Sequence, residues 1–350
     1  GAGYTGSMFG TPSDMVVAES YLKGITDFEV EEAYAFMKRT SDGAVTGRAD
    51  NRGGIEEYNA YGYCPADLVN LSVSRTLEYA WADASIALLA DALGKPAEAA
   101  HYREKSMNYK NIFNPRTNYF HARNADGSWQ KVFVPQMNSY FDEILPKNLR
   151  LTEAYCEGSP QHWRWSVPQD PQGMIELFGR DTFVRELDTF MRGASANRAA
   201  FNPGSAYWHG NQHDIHALFL FNDAGRPELT QKWARWALAE RHSTDVDGLD
   251  GNDDGSTLSA WYVLAAMGLY PVAGTDRYWL ASPNLHRAEA DLRNGGTLIV
   301  EAMNQSAENI YVQSVTLNGT RLTAPFLTHG QIAQGGRLVF VMGPSPAANG

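Results

Sequence analysis

Five aspartates lie within residues 245–254, directly before an apolar segment. A cluster of this kind is a calcium-binding loop, an acidic turn that caps a helix, or a set of catalytic carboxylates. The spacing that starts at Asp250 fits the first half of an EF-hand loop, which also needs a bidentate glutamate at its twelfth position. Trp261 stands at that position, and an indole cannot ligate a cation. The spacing therefore argues against an EF-hand.

Asp253 and Asp254 precede a predicted helix for which Ser256 is the natural N-cap. Free backbone N–H groups and the helix dipole at this position favour an ionised carboxyl group and lower its pKa. An ionised carboxylate suits a general base, whereas aspartates at this position also serve only as caps. Both interpretations remain open. The helix is predicted from apolar residues at helical spacing: Leu258, Trp261, Tyr262 and Ala265.

Glu157 lies in an irregular segment rich in glycine and proline, among Tyr155, Trp163 and Trp165. Large rings exclude water and raise the pKa of a nearby carboxyl group, which would keep a proton available at neutral pH. Glu157 is therefore a candidate general acid, and the alternative is a surface glutamate beside core aromatics. Asp170, which precedes the next helical pattern, is predicted to cap it.

An ionised carboxylate and a protonated one form the pair that glycoside hydrolysis needs. The acid protonates the departing glycosidic oxygen, and the base removes a proton from the attacking water on the opposite face of the sugar. In an enzyme that inverts configuration, the two carboxyl groups lie about 6.5–9.5 Å apart.

A third cluster surrounds Asn211 and Gln212, whose neutral oxygens suit a hard cation. His209, His213 and His216 suit softer metals or sugar hydroxyls. Their spacing fits no zinc-enzyme motif, and the adjacent amides favour oxygen ligation. The alternative is a helix start capped by Asn211, with His216 packed inside.

The elements that position these residues are helical up to about residue 270 and β-rich after Pro271. One strong helix is predicted to start at a Ser72 cap and to stop at Gly94, and it forms a hairpin with the next helix. A β-hairpin is predicted over the turn at 125–127. Helices are predicted over 12–24, 28–40, 72–94, 96–112, 170–179, 180–192, 212–222, 226–242 and 256–269.

Paired antiparallel helices with long loops are typical of an (α/α)6 toroid, in which loops converge at one end. We therefore predict a mainly α fold, with a toroid over 1–272 and a small antiparallel β module over 273–350. The predicted helices are too few to close such a barrel, so either the pattern misses some helices or the toroid is incomplete at its N-terminus. Convergent loops would bring distant carboxylates together.

The bulk composition excludes several classes of protein. A net charge of -11 argues against nucleic-acid binding, which needs clustered lysine and arginine. No apolar run reaches the ~18 residues of a membrane span. Cys64 and Cys156 provide neither a disulfide framework nor a Cys-x-x-Cys metal pair. The opening stretch GAGYTGSMFG lacks the charged and apolar regions of a signal peptide.

Six stretches, in family order, resemble the calcium-dependent, inverting exo-α-mannosidases of glycoside hydrolase family 92. Together they span most of the chain, which makes the resemblance more specific than any one motif. The stretches are RGGIEEYNAYGYCPAD, SVSRTLEYAWADASIA, EGSPQHWRWSVPQDPQGMIELFG, GNQHDIHALFLFNDAGRP, GNDDGSTLSAWYVLAAMGLYPV and ENIYVQSVTLNGT.

The resemblance implies Glu157 as general acid and Asp254 as base, with Asn252 and Asp253 helping to place the water. It implies that Asn211 and Gln212 hold Ca²⁺, which binds O2 and O3 of mannose and flattens its ring. The implied substrate is a mannose-containing glycan, met in the periplasm or outside the cell. The side chains assigned to substrate binding are His162, Trp163, Arg164, His209, His213 and His216.

The resemblance also implies an N-terminal β-sandwich that packs with the C-terminal strands and that this sequence does not include. The pocket departs from the family pattern in three places. Residues 159–163 read Ser-Pro-Gln-His-Trp where the family has Asn-Ala-Trp-Gln-Tyr; Gln212 replaces a glutamate; and 215–216 replace a His-His pair. These changes leave two alternatives, namely an altered sugar or linkage specificity and a catalytically inactive toroid that binds glycans.

Overall fold

The computed structural model describes residues 10–43, 52–139, 153–196, 204–292 and 294–347. Its contacts divide the chain into two units: residues 1–170 with 273–275, and residues 171–272 with 276–350. The helices within 171–272 therefore share a unit with the strands after residue 276. The predicted division into a toroid over 1–272 and a β module over 273–350 stays a prediction.

The first unit is helical. Its elements are α1 (Pro12–Leu22), α2 (Val30–Asp42), α3 (Ile55–Tyr61), α4 (Ser72–Ala92), α5 (Pro96–Lys105), a 3-10 turn (Asn108–Ile112), β1 (Phe113–Asn114), β2 (Tyr119–Phe120) and α6 (Pro160–Trp163).

α4 forms the centre of this unit and packs against α1, α2 and α5. Its contact with α5 confirms the predicted helical hairpin. The helix ends before Gly94 as expected, with Gly94 at φ 71°. The predicted Ser72 cap is wrong, because Leu71 occupies the N-cap position and no side chain caps this end. A buried guanidinium at Arg52 joins α4 to α1 through ion pairs with Asp83 and Asp14, at 2.6 and 3.1 Å.

Two predictions in the first unit need correction. The helix expected over 96–112 ends at Lys105, and a separate 3-10 turn follows it. The hairpin expected over 125–127 is reduced to one isolated bridge, between Arg123 and Trp129. The strand pair lies earlier, where β1 and β2 run antiparallel. The short α3, which follows a left-handed Gly54, was not predicted.

The second unit combines helices with two sheets. Its elements are α7 (Pro171–Phe178), α8 (Arg180–Ala196), a 3-10 turn (Ala217–Phe219), α9 (Pro227–Glu240), α10 (Thr257–Ala266), β3 (Leu269–Pro271), β4 (Arg277–Leu280), β5 (Arg287–Asp291), β6 (Thr297–Met303), β7 (Tyr311–Leu317), β8 (Thr320–Arg321), β9 (Phe326–Thr328), α11 (His329–Ile332) and β10 (Gly336–Gly343).

The helix predicted over 212–222 is absent from the described residues, since turns and one 3-10 turn occupy this stretch. Local side-chain bonds to the backbone compete with helix formation here. The Asn211 amide oxygen accepts from the Gln212 N–H at 2.9 Å, and the Asp214 carboxylate accepts from the Trp208 N–H at 3.1 Å.

The C-terminal strands form a five-stranded sheet of order β5-β6-β10-β7-β8 and a three-stranded sheet of order β3-β4-β9. The predicted antiparallel module is correct except at one pair, because β6 and β10 run parallel. Asn318 and Gly319 turn β7 into β8 with φ of 50° and 82°, as their sequence predicts. Alternate residues such as Leu298, Val300 and Phe340 form the core.

The described residues are thus mainly helical with a small sheet region, as expected, while closure into a toroid stays a prediction. Across these residues, we find no helix with the length and apolar character that a membrane crossing requires.

Candidate active site

Both predicted catalytic carboxylates lie on left-handed backbone. Glu157 has φ 45° and Asp254 has φ 48°. This conformation costs about 1–3 kcal/mol for a residue other than glycine, and it persists where the surrounding structure enforces it, often at functional sites. Among the described non-glycine residues with positive φ, three asparagines and Asp254 are of the types that tolerate this conformation best, and the others are Leu71, Glu157 and Ser256.

Cys156, the residue before Glu157, is held through both its main-chain N–H and its main-chain carbonyl. The Cys156 N–H donates to the Ser74 hydroxyl at 2.9 Å. The Cys156 carbonyl accepts from the Trp163 indole N–H at 2.7 Å. Ser74 and Trp163 are both buried, so these partners are themselves fixed by packing.

The peptide after Glu157 is held as well. The Gly158 N–H donates to the Ser139 hydroxyl at 2.8 Å, and the Ser139 N–H donates back to the Gly158 carbonyl at 2.8 Å. The Tyr155 hydroxyl donates to the Phe120 carbonyl at 2.7 Å. Fixed peptides on both sides define the backbone of Glu157, whose side chain is half-buried.

Three residues of the first unit that are predicted to bind substrate also stabilise the segment around Glu157: His162, Trp163 and Arg164. His162 is buried, and its Nδ1 accepts from the Ser159 N–H at 3.0 Å in a capping box that starts α6. Arg164 is buried, donates to the Asn118 carbonyl at 2.8 Å, and lies 4.1 Å from the Tyr119 ring centroid. Trp163 holds the peptide described above. Contact of these three with substrate stays a prediction.

In the second unit, Asp253 caps α10. Its carboxylate accepts from both the N–H and the hydroxyl of Ser259, each at 2.9 Å. Ser256 occupies the N-cap position but has φ 75° and makes no side-chain cap bond. The expected cap is therefore corrected from Ser256 to Asp253, and the capping interpretation holds for this aspartate.

Asp254 and Asn252 are exposed. The main-chain carbonyl of Asp254 accepts from the Thr257 hydroxyl at 2.8 Å, which ties its turn to the start of α10. In the described part of the chain, no hydrogen bond engages the Asp254 carboxylate. Its oxygens can accept from water, as a base requires.

Two glycines bring the predicted metal-binding stretch against the stretch that carries Asp254. A methyl group on Gly251 would lie 2.9 Å from the Gly210 carbonyl oxygen, and one on Gly210 would lie 2.6 Å from the Asp250 carbonyl oxygen. The Trp208 indole N–H also donates to the Asp250 carbonyl, at 3.2 Å. The backbones of the two stretches are in contact at Gly210 and Gly251, and a side chain at either position would push them apart.

Asn211 and Gln212 carry side-chain amide oxygens, which are ligands that a hard cation such as Ca²⁺ accepts. Asn211 is buried and Gln212 is exposed. Ca²⁺ takes about 6–8 oxygen ligands, including amide and main-chain carbonyls. The structure, as far as it is described, contains no group of three or more His, Cys, Asp or Glu residues that could hold a metal. A Ca²⁺ ion at Asn211 and Gln212 stays a prediction.

The three predicted substrate-binding histidines of the second unit, His209, His213 and His216, are all buried. Nδ1 of His209 lies 2.6 Å from the Tyr207 hydroxyl, and the ring packs edge-on to Trp261 at 4.3 Å. Burial holds the pKa of His209 well below its ordinary value, so this imidazole is neutral. A role of these histidines in substrate binding stays a prediction.

Sequence reasoning missed the residues that hold the acid and base segments, namely Ser74, Ser139, Gly210 and Gly251. Ser74 bonds a peptide 82 residues further along the chain. No local pattern marks a serine with such a role. The Gly-Asn pairs at 210–211 and 251–252 were visible, but nothing in the sequence indicates that they meet.

Comparison with known proteins identifies the family. Residues 1–344 match the model of the glycosyl hydrolase family 92 catalytic domain. The chain belongs to glycoside hydrolase family 92. It is 28% identical to an uncharacterized secreted glycosidase of Arthroderma benhamiae, over 99% of this chain and 46% of that protein.

Two similar solved structures are family 92 proteins of Bacteroides thetaiotaomicron. The α-mannosidase BT3965 is 32% identical with a TM-score of 0.86, over 97% of this chain and 43% of that one. The inverting mannosidase BT2199 is 30% identical with a TM-score of 0.86, over 97% of this chain and 47% of that one. The chain thus spans about half the length of these three similar proteins.

Proposed function

We propose that this chain carries the catalytic carboxylates of an exo-acting α-mannosidase that inverts configuration, with Glu157 as acid and Asp254 as base. The observation that carries the proposal is that, in a family 92 chain, both carboxylates lie on enforced left-handed backbone. The mannosidase relatives support the sugar and the stereochemistry. Glu157 and Asp254 belong to different units, and their pairing across one sugar is part of the proposal.

As the acid, Glu157 gives its carboxyl proton to the glycosidic oxygen while the bond from that oxygen to the anomeric carbon breaks. The fixed peptides at Cys156 and Gly158 limit the directions in which this side chain can point. Orientation of this kind lowers the entropy that must be lost at the transition state.

As the base, Asp254 takes a proton from a water whose oxygen attacks the anomeric carbon from the opposite face. Its exposed carboxylate is accessible to that water. Asn252 helps to place the water, while Asp253 maintains the turn by capping α10. The products are the free alcohol and a sugar of inverted anomeric configuration.

Asn211 and Gln212 would hold a Ca²⁺ ion, which when bound supplies a positive charge for two adjacent sugar hydroxyls. Replacement of a carboxylate by Gln212 lowers the charge of this site, so weaker cation binding than in a glutamate-containing relative is expected. The substrate is a mannose-containing glycan outside the cytoplasm, in line with the secreted relative. An N-terminal β-sandwich in the full protein would complete the site.

The test uses a protein of the length of its relatives and an aryl α-mannoside. Proton NMR of the first product formed should show the β-anomer, and α-mannose as the first product would contradict inversion. Glu157→Gln and Asp254→Asn should each lower turnover by about 10²–10⁴-fold at unchanged thermal stability. Asp247→Asn, an exposed aspartate of the same cluster, is the matched control and should retain activity.

The substitution at Gln212 favours one alternative, a protein that binds glycans without hydrolysing them. Turnover of the aryl mannoside by the longer protein eliminates this alternative. Binding of mannose without turnover, in the longer protein supplied with Ca²⁺, would establish it.

A further inference from the structure

A buried ion pair lies at the start of residues 250–254, which we name the base stretch. Nε of Arg241 is 3.5 Å from a carboxylate oxygen of Asp250, and both side chains are buried. An isolated antiparallel bridge joins His242 to Leu249. In an antiparallel pair the residues that flank a bridge also lie opposite each other, so this bridge brings Arg241 beside Asp250. The ion pair thus closes the loop that precedes the base stretch.

Arg241 is itself fixed by two helices. It is the C-cap residue of α9. Its Nη2 donates to the carbonyl of Ala194 in α8 at 2.5 Å, and its guanidinium carbon lies 4.6 Å from the centroid of the Trp236 ring. A planar guanidinium that is bonded to a carbonyl and packed on an aromatic face has little freedom to move. Arg241 therefore presents a positive charge to Asp250 from a fixed position.

Asp250 lies where the base stretch meets the predicted metal-binding stretch. Its carbonyl accepts from the Trp208 indole N–H at 3.2 Å, and it would lie 2.6 Å from a methyl group placed on Gly210. At the other end of the base stretch, Asp253 caps α10. The stretch is thus fixed at Asp250 and at Asp253, and a shift of the first point would pass along four residues of backbone to Asp254.

Stability alone is a weak reason for this ion pair. The removal of two charges from water costs about as much as their attraction returns, and apolar residues of similar volume often stabilise a protein as well. The best-attested use of buried charges is to fix one arrangement of the chain. The separation of 3.5 Å is longer than an ordinary N–H···O hydrogen bond, so the pair acts mainly through its charges.

We propose that Arg241 is a positioning residue for the catalytic base. Its charge attracts Asp250 and thereby holds the base stretch where Asp254 activates water. The proposal rests on the function proposed above for Asp254. Arg241 does not contact substrate, because its side chain is only 2% exposed. Loss of its charge should therefore lower kcat and leave KM largely unchanged.

The test compares Arg241→Lys with Arg241→Met, which introduce unbranched side chains of similar length that differ in charge. A protein of the length of its relatives is assayed with an aryl α-mannoside, at a temperature at which circular dichroism shows both variants to be fully folded. Arg241→Met should lower kcat about 10- to 100-fold with KM within about twofold of the parent. Arg241→Lys keeps the charge and should lose less than about fivefold in kcat. Equal losses in the two variants, or a change in KM alone, would refute the proposal.

A second variant and a control complete the comparison. Asp250→Asn removes the other charge without a change of shape, should also lower kcat, and serves if Arg241→Met does not fold. Full kcat in Asp250→Asn would overturn the proposal. Arg235→Met is the matched control, because Arg235 also lies on α9 and donates to the main-chain carbonyls of Pro283 and Ser306, at 3.0 and 2.8 Å. It should keep the kcat of the parent.

Crystal structures of the two Arg241 variants separate this proposal from the proposed function. The backbone of residues 250–254 should move in Arg241→Met and keep its position in Arg241→Lys. If the parent lacks turnover, the function proposed above fails, whereas the displacement still decides whether Arg241 holds the base stretch. A base stretch that does not move in Arg241→Met overturns the proposal whether or not the parent is active.

Discussion

The segments around Glu157 and Asp254 have the same backbone conformation but reach it by different means. Glu157 depends on partners distant in sequence, of which Ser74 is the clearest example, 82 residues from the peptide it holds. Asp254 depends on its own neighbourhood, where Thr257 bonds its carbonyl and Asp253 caps the helix that follows. The acid segment is thus positioned by tertiary packing and the base segment largely by local structure.

This difference has a functional consequence. A group that donates a proton to a leaving oxygen benefits from a fixed direction, which packing against buried side chains provides. A group that activates water needs access to solvent, and a turn at a helix start provides it. The difference supports the proposed roles of acid and base, and four experiments test the comparison.

The largest expected effect distinguishes the acid from the base by how the activity of each variant depends on the leaving group of the substrate. Glu157→Gln should lose at least about 10²-fold in kcat/KM on an alkyl mannoside, whose oxygen must be protonated to leave. The same variant should lose little kcat/KM on a dinitrophenyl mannoside, because the phenolate leaves without being protonated. Asp254→Asn should lose activity on both, since both need activated water. Equal losses of each variant on both substrates would remove the distinction between the segments.

The next effect tests the contact between Gly210 and Gly251. Gly251→Ala would place a methyl group 2.9 Å from the Gly210 carbonyl oxygen, so one backbone must move. Displacement of a catalytic group by part of an ångström is expected to lower kcat about 10- to 100-fold. Gly330→Ala, in the same unit and facing open space, is the control. Retention of full kcat in Gly251→Ala would show that this contact does not position the base.

The sequence predicts the locally determined features well. Asn318-Gly319 predicts its turn, Gly94 predicts the end of α4, and alternating apolar residues predict β6, β7 and β10. The position of Asp253 and Asp254 before a helix is predicted for the same reason, because the helix start and its cap lie within a few residues. The acid and base were identified as candidates from this local chemistry and the family resemblance.

Other features are not predictable in this way, either because local side-chain bonds override the periodicity or because contacts distant in sequence determine them. The stretch 212–222 has helical periodicity, yet side-chain bonds from Asn211 and Asp214 to nearby backbone hold it in turns. The parallel pairing of β6 with β10 depends on the path of the intervening chain. No periodicity marks Ser74 or Ser139, because their roles exist only in the folded molecule.

A smaller effect compares two serines of α4. Ser74→Ala leaves the Cys156 N–H without its partner and should cost about 1–3 kcal/mol in the free energy of unfolding. Ser72→Ala removes a buried hydroxyl that lacks a hydrogen-bond partner in the described structure, so the change should stay within about 0.5 kcal/mol or be stabilising. Urea unfolding measures both. Similar losses in the two variants would contradict a specific role for Ser74.

The smallest effect is a difference in pH dependence between the units. In the first unit, burial raises the pKa of Glu78 from 4.5 to about 7. In the second unit, burial lowers the pKa of His242 below its ordinary 6.5. The two groups should therefore affect stability in opposite directions as the pH changes.

Between pH 4.5 and about 7, folded Glu78 keeps a proton that the unfolded chain releases, so its contribution to stability falls as the pH rises. Glu78→Gln should therefore be more stable than the parent at about pH 8 and similar to it at about pH 4.

Below pH 6.5 the unfolded chain protonates His242 before the folded chain does, so acidification destabilises the fold. His242→Gln should reduce that loss of stability. Urea unfolding across this pH range measures both, with His101→Gln as an exposed control. If both variants shift stability in the same direction with pH, desolvation does not govern these two groups.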